Sequence, residues 1–361
     1  MDPLDLVAIV AGVALLSVAT VDIFLTVMHY DGYGPASRRL YRAWWWTARQ
    51  VVQRFGPGRA ARPLAAAGTA MLLATILMWI ALAWIGFALL YLPFIDDGFM
   101  HSAPGGSPWM DAVYFSGIAL STVGFGDVVP VTPGLRLLAA AESLAGFAIL
   151  TVTISYLLGV YGVLRDQSLL GAMIDDQTEG TGDSVVLARG LLDRSDPATK
   201  LDELHRGILS HGEGLQLYPI VHYLRRTVPR RSAIFILRMV GEASAHLRWG
   251  LPPPHEVARD PAVAGLIRAQ ARLIDDMRVH FESPDDAQGA NPGGGVAARE
   301  RFDAIREALA PESEGFDARV DERFEAWAEF VGDLERVVAH AAAELAMEAD
   351  EIGLPPDSDD A

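Results

Sequence analysis

Six consecutive residues, Thr122-Val123-Gly124-Phe125-Gly126-Asp127, combine the types that a backbone needs in order to bind a bare cation. A dehydrated K⁺ must regain from the protein the oxygen shell it had in water, and backbone carbonyls stacked in rings around one axis supply it. Successive carbonyls point the same way only if the backbone alternates between ordinary and positive-φ conformations. Gly124 and Gly126 reach the latter cheaply because they lack Cβ. Val123 and Phe125 then turn outward and pack behind the segment. The Thr122 hydroxyl adds a ring of oxygens at the inner end, and Asp127 stands at the outer mouth. The candidate ion ligands are the carbonyls of Thr122, Val123, Gly124 and Phe125, with Gly126 completing the binding segment. The competing reading is a Gly-rich turn that happens to carry this spelling.

Such a segment needs a membrane around it. The chain is 51% apolar yet 21% charged, which reconciles if a membrane portion is joined to a charged soluble portion. The apolar runs lie before about residue 165 and most acids after it, so the net charge of −17 belongs mainly to the second half. That acidity argues against nucleic acid as a partner. There is no cysteine, which excludes disulfides, thiolate catalysis and Cys-based zinc sites.

Three apolar stretches are long enough to span a bilayer: Leu4 to Met28, Ala65 to Phe94, and Pro133 to Leu164. Between the second and third, Trp109 to Ser121 is too short to cross and leads straight into the Gly-rich segment. It reads as a re-entrant helix, tolerable at membrane depth only where protein or a watery cavity encloses its non-helical continuation. The loop after the first span carries Arg38, Arg39, Arg42, Arg49, Arg54, Arg59 and Arg62 against a single acid, Asp31. The positive-inside rule makes it cytoplasmic and puts the N-terminus outside. Within it, Leu40, Trp44, Val51 and Phe55 fall at helical spacing opposite Arg38, Arg42 and Arg49, the pattern of an amphipathic helix among the lipids of the inner interface. A voltage sensor would instead carry its arginines inside an apolar span.

With these residues in place, the stretch from Ala65 to Leu164 resembles the outer helix, pore loop and inner helix of prokaryotic two-transmembrane-helix, pore-loop potassium channels, here with an extra N-terminal transmembrane helix. Ala112-Val113-Tyr114-Phe115-Ser116 and Ser121 to Pro130 are similar to the family's pore helix and selectivity filter. The Phe125 spelling also resembles two-pore-domain channels, which carry two filters per chain where this chain has one. The resemblance implies that Gly146, inside the inner helix, acts as a gating hinge; close helix packing by a small residue is the alternative. Leu150, Thr153, Ile154 and Leu157 follow along one helical face as candidate pore-lining residues. Glu142, one turn before Gly146, must be partnered or protonated at that depth. It is expected to support the filter through a hydrogen bond to Tyr114 or Ser116. Asp22 is expected to pair with an arginine of the basic loop.

Residues 165–183 are polar, end in Glu179-Gly180-Thr181-Gly182-Asp183, and read as a linker. Helical patterns follow at about 184–194, 200–226, 232–249, 258–283, 297–310 and 315–349. Strand-like alternation is scarce, and no nucleotide-binding glycine motif follows a strand. His205, His211 and His222 do not share a helical face, and His255-Glu256 lacks the second histidine of a zinc motif. No metal site other than the K⁺ carbonyls, no cofactor and no catalytic constellation is expected. Tyr218 to Arg226 is aromatic and basic: it either packs the domain or binds an anionic ligand or lipid headgroup.

The expected fold class is an all-α membrane protein, a tetrameric pore-loop potassium channel pore plus a mostly helical cytoplasmic domain. Its parts are an N-terminal transmembrane helix (1–30), a basic amphipathic linker (31–64), the pore domain (65–164), a linker (165–183), the helical domain (184–350) and a disordered tail (351–361). One filter strand cannot enclose an ion, so four identical chains must close around it. The expected function is passive, potassium-selective conduction across the plasma membrane, gated through the cytoplasmic domain, with no chemical reaction; an unknown ligand of that domain is a candidate partner. A less selective cation channel and a non-conducting receptor or scaffold are the rivals. The topology is directly testable in this Cys-free chain. Ala103→Cys should react with an impermeant thiol reagent applied outside intact cells, and Gly58→Cys should not; the reverse pattern would invert the orientation.

Overall fold

The computed structural model describes residues 2–28, 34–55, 57–102, 106–193, 196–224, 228–281, 295–311, 319–345 and 347. The tail 351–361, expected to be disordered, lies outside them. Seven of the helices begin on proline, whose fixed φ and missing N–H suit the first helical position: α1 (Pro3–Val27), α2 (Pro35–Phe55), α3 (Pro57–Tyr91), α4 (Pro108–Leu120), α5 (Pro133–Gln177), α7 (Pro197–Leu217) and α9 (Pro261–Phe281). The preceding residue often supplies the cap. Ser107 Oγ accepts from the Met110 amide at 3.4 Å, Asp196 from Thr199 at 3.2 Å and Asp260 from Ala262 at 2.7 Å. The other helices are α6 (Ser184–Leu192), α8 (Ala233–Ala245), α10 (Val296–Leu309) and α11 (Val320–Glu344). A two-stranded antiparallel ribbon, β1 (Phe99–His101) with β2 (Val128–Pro130), pairs Met100 with Val129. This is an all-α membrane protein: among the described residues, three helices are long and apolar enough to span a bilayer, Pro3–Val27, Ala67–Phe94 and Pro133–Gln177.

The chain divides into two compact units. The first holds Met1–Thr47 and Thr69–Val160. In it α1 lies against α3 at a glycine contact, where a Cβ on Gly12 would come within 2.7 Å of the Gly86 carbonyl oxygen. Small residues allow such backbone approach where apolar burial gives helices no drive to associate. At the end of α1, Asp22 is fully buried, and no arginine among the described residues pairs with it. Its carboxylate instead accepts from the Ala36 amide at 2.7 Å, the Ser37 amide at 3.0 Å, the Ser37 hydroxyl, and the Trp79 indole at 2.8 Å. The first amides of α2 have no helical partner and form the positive end of its dipole, so they satisfy an anion as an arginine would. Arg38 and Arg42 are exposed, Tyr41 is buried, and Leu40 and Trp44 are half-buried, as an amphipathic helix requires; the side chains of Arg49, Val51 and Phe55 lie outside the described set. Phe87, Tyr91, Ile95, Phe99, Phe115 and Leu135 form an aromatic core that ties α3, the ribbon, α4 and α5 together.

The second unit holds Ala48–Gly68 and Tyr161–Ala361. Helix α5 continues to Gln177, so the stretch expected as linker from residue 165 is helical until its last few residues. Leu170 and Ile174 make a buried stripe in that polar stretch, and packing sustains the helix where composition reads as loop. The turn comes at Glu179, Gly180 and Gly182, all at positive φ. Every residue of α8 is buried, with α6, α9 and α11 packed around it and α7 along α9. Pro219 ends α7 early, and a 3₁₀ turn over Pro219–Tyr223 sinks Ile220, Val221 and His222 into the interior. Ile220, Val221 and His222 of the aromatic–basic stretch thus pack the domain, while Arg225 and Arg226, on which an anionic ligand would depend, lie outside the described residues.

A buried polar network specifies the centre of this unit. Glu242 accepts from Arg238 Nε at 3.1 Å and from the Ser184 hydroxyl at 2.6 Å. Burial alone would raise its pKa, but Arg238 and Arg301 hold it below the ordinary carboxylate value. The Trp327 indole donates to His246 Nδ1 at 3.2 Å, which leaves the proton on Nε2 to face the Ser184 hydroxyl at 3.1 Å. Burial pushes His246 down to about 4. Its folded-state value lies below the unfolded one, so the unfolded chain binds more protons in the window between them. The stability it contributes is therefore present above about pH 6.5 and lost as pH falls toward 4. The unfolding midpoint of the full-length protein should drop across that window, and His246→Gln should flatten the drop. An unchanged pH slope in the variant would show that His246 is not the group being protonated.

Candidate functional site

The Gly-rich segment leaves the C-terminal end of α4 through hydrogen bonds that anchor its inner end. Thr122 N–H donates to the Ala119 carbonyl at 3.0 Å, and Val123 and Gly124 donate to the Ile118 carbonyl at 3.0 and 3.2 Å. The outer end is held by the ribbon, where Ser102 N–H donates to the Asp127 carbonyl at 2.8 Å. Between these anchors φ is positive at every second residue: 59° at Thr122, 54° at Gly124 and 78° at Gly126. The glycines adopt this conformation freely, whereas a β-branched threonine there is strained and must be held by its surroundings. Among the described residues, no donor reaches the carbonyl oxygens of Thr122, Val123, Gly124, Phe125 or Gly126. Val123 and Phe125 are 55% and 71% exposed in the single chain, so whatever packs behind them is not its own core.

The back of α4 is clasped by one stripe of α5. Glu142 is fully buried; its Oε1 lies 2.6 Å from the Ser116 hydroxyl and its Oε2 accepts from the Tyr91 hydroxyl at 2.8 Å. Ser143 Oγ donates to the Ala119 carbonyl at 3.0 Å. At Gly146 an added Cβ would stand 1.9 Å from the Leu120 carbonyl oxygen. Of the two expected partners, Ser116 meets Glu142. Tyr114 does not: its hydroxyl donates to Asp127 Oδ2 at 2.7 Å, tying the outer mouth to the middle of α4. Tyr91 and Ser143 escaped sequence reasoning. Ser143 shares the Glu142–Gly146 face and could have been found by spacing, but Tyr91 lies 51 residues from Glu142 and carried no local signal.

The helix is continuous through Gly146, and the close contact with Leu120 gives this glycine a packing role there. Further along α5, Leu150 and Ile154 are exposed in the single chain at 57% and 51%, and Leu157 is half-buried. Thr153 is buried at 8% exposure with its hydroxyl unpartnered, so the four expected pore-lining side chains do not share one free face.

Between two membrane-length helices, a short helix hands its chain to a run of carbonyls that no donor reaches among the described residues, the arrangement that a pore loop requires. Residues 74–161 match the family described as ion channel, and a further apolar helix, Pro3–Val27, precedes the matched stretch. The chain is 26% identical over 259 residues to the uncharacterized membrane protein YdjJ of Bacillus subtilis (strain 168), covering 69% of this chain and 72% of that protein. It is 28% identical over 92 residues to two pore potassium channel c of Oryza sativa subsp. japonica, covering 26% of this chain and only 20% of that protein. No solved structure matches.

The clasp predicts two graded losses. Glu142→Ala leaves the Tyr91 hydroxyl buried without its acceptor and should cost about 1–3 kcal/mol. Gly146→Ala drives a methyl group into backbone, which no rotamer relieves, and should cost more. Thermal unfolding of the detergent-solubilised protein measures both; unchanged midpoints would mean that α5 does not brace the Gly-rich segment.

Proposed function

We propose that the chain is a potassium-selective channel of the plasma membrane, with four copies closing around one axis, the N-terminus outside and the C-terminal helical unit in the cytoplasm. The observation that carries this reading is the positive φ at Thr122, Gly124 and Gly126. That alternation turns successive carbonyls to one side, where four chains would form stacked oxygen rings matched to dehydrated K⁺. The likeness to a protein named as a potassium channel supports the choice of ion. One filter strand per chain supports fourfold closure over the two-chain closure that a two-filter chain permits. Thr122, Val123, Gly124 and Phe125 supply the ligands, Asp127 and Tyr114 shape the mouth, and Glu142 braces the back.

We infer that gating runs along α5, and its continuity to Gln177 supports this reading. A change in the C-terminal unit is delivered to the inner helix through helical backbone hydrogen bonds, and it biases opening only by the difference in that unit's stability between the two states. The packing at Gly146 favours a bracing role for this glycine over a hinge. The test is ion flux from reconstituted liposomes with reversal potentials in mixed K⁺ and Na⁺. Wild type should conduct with K⁺ strongly preferred, and Gly124→Ala or Gly126→Ala should abolish flux while leaving the protein expressed. Conduction without preference would make it a general cation channel, and no conduction at all would make it a receptor or scaffold on a pore fold.

A further inference from the structure

The C-terminal unit brings three potential metal-ligand side chains together. Asp276 and His280 sit four residues apart on one face of α9. The 3₁₀ turn after α7 presses His222 against them. Each residue offers one ligand atom, and the three atoms lie within 4.8 Å of one another. His222 Nε2 is 3.0 Å from Asp276 Oδ2, within ion-pair reach, yet neither atom makes a geometrically sound hydrogen bond, and His222 Nδ1 is also buried without a partner. The His222 side chain has no exposure at all. A buried imidazole beside a carboxylate, with neither satisfied, is costly unless a third group receives both lone pairs. His280 Nδ1 lies 2.8 Å from the Asp276 carbonyl one turn earlier. In the tautomer that donates to that oxygen, the Nε2 lone pair is free, and the donated bond is the outer hydrogen bond that orients metal-binding histidines.

We infer that His222, Asp276 and His280 form a binding site for a borderline divalent transition-metal ion, of which Zn²⁺ is the type. Two imidazoles and one carboxylate match the three-ligand sets of such ions and offer too few oxygens for Ca²⁺ or Mg²⁺. Ligand atoms around Zn²⁺ at about 2.0–2.2 Å stand roughly 3.3 Å apart. The widest separation here must therefore close, and the stacked rings of His222 and His280, 4.4 Å between centroids and tilted by 27°, must splay. His280 and Asp276 retain 14% and 21% side-chain exposure, which gives them room to move and an ion a route in. The ion would staple the turn after α7 to α9.

The experiment uses tag-free, full-length protein in detergent, stripped with chelator and titrated with Co²⁺ and then Zn²⁺. One Co²⁺ per chain should bind with a visible d–d spectrum, Zn²⁺ should displace it, and the unfolding midpoint should rise with metal. Asp276→Asn and His280→Gln should weaken binding by more than the roughly 10–100-fold that loss of an outer-shell partner costs. X-ray absorption at the zinc edge of the wild type should show two imidazoles and serves where a variant fails to fold. No stoichiometric Co²⁺, binding unchanged in both variants, or an edge spectrum without imidazole would overturn the site.

Discussion

Everything in the pore unit depends on holding one short run of backbone in a conformation that it would not keep alone. Carbonyls without donors cannot be left at membrane depth unless protein or a polar cavity encloses them. In the proposed channel the run from Thr122 to Gly126 meets that condition as part of a closed assembly. Its inner end is tied to the last carbonyls of α4 and its outer end to the ribbon. The cost concentrates at Thr122, where a β-branched residue sits at φ 59°. Strain of this kind persists only where the surroundings over-determine it. Glu142, Ser143 and Gly146 supply that constraint from α5, and Tyr114 supplies it at Asp127.

The same logic, buried polar groups satisfied by backbone or hydroxyl partners, recurs outside the pore. Asp22 holds the first turn of α2 and the Trp79 indole, fixing the amphipathic helix to the end of α1. Glu242 and His246 organise the helices around α8 through Ser184, Arg238 and Trp327. Each such group is expensive if one partner is removed, and each therefore specifies one arrangement of the helices around it.

What the sequence made legible follows the range of its signals. Gly124 and Gly126 announce positive φ because glycine is the cheap solution; Thr122 does not, since nothing in a threonine's type marks a left-handed residue. The spans and most C-terminal helices were readable because apolar periodicity and proline starts are local. The extension of α5 to residue 177 was not, because Leu170 and Ile174 carry a helical stripe through a stretch whose average is polar. Ser116 could be matched to Glu142 from helix geometry, whereas Tyr91 sits a whole element away. Asp22 was assigned an arginine because sequence displays side-chain charge and hides the free amides of a helix start. The histidine–aspartate cluster was invisible because His222 and Asp276 are 54 positions apart and meet only when α7 and α9 pack.

The central claim is that these carbonyls bind a dehydrated monovalent cation in a fourfold assembly. Anomalous scattering from crystals of the full-length protein grown with Tl⁺, a heavy stand-in for K⁺, tests it most directly. The account predicts peaks stacked on a fourfold axis, level with the carbonyls of Thr122, Val123, Gly124 and Phe125. An assembly in which those carbonyls face away from the axis, or an axis without ordered Tl⁺ between them, would contradict it.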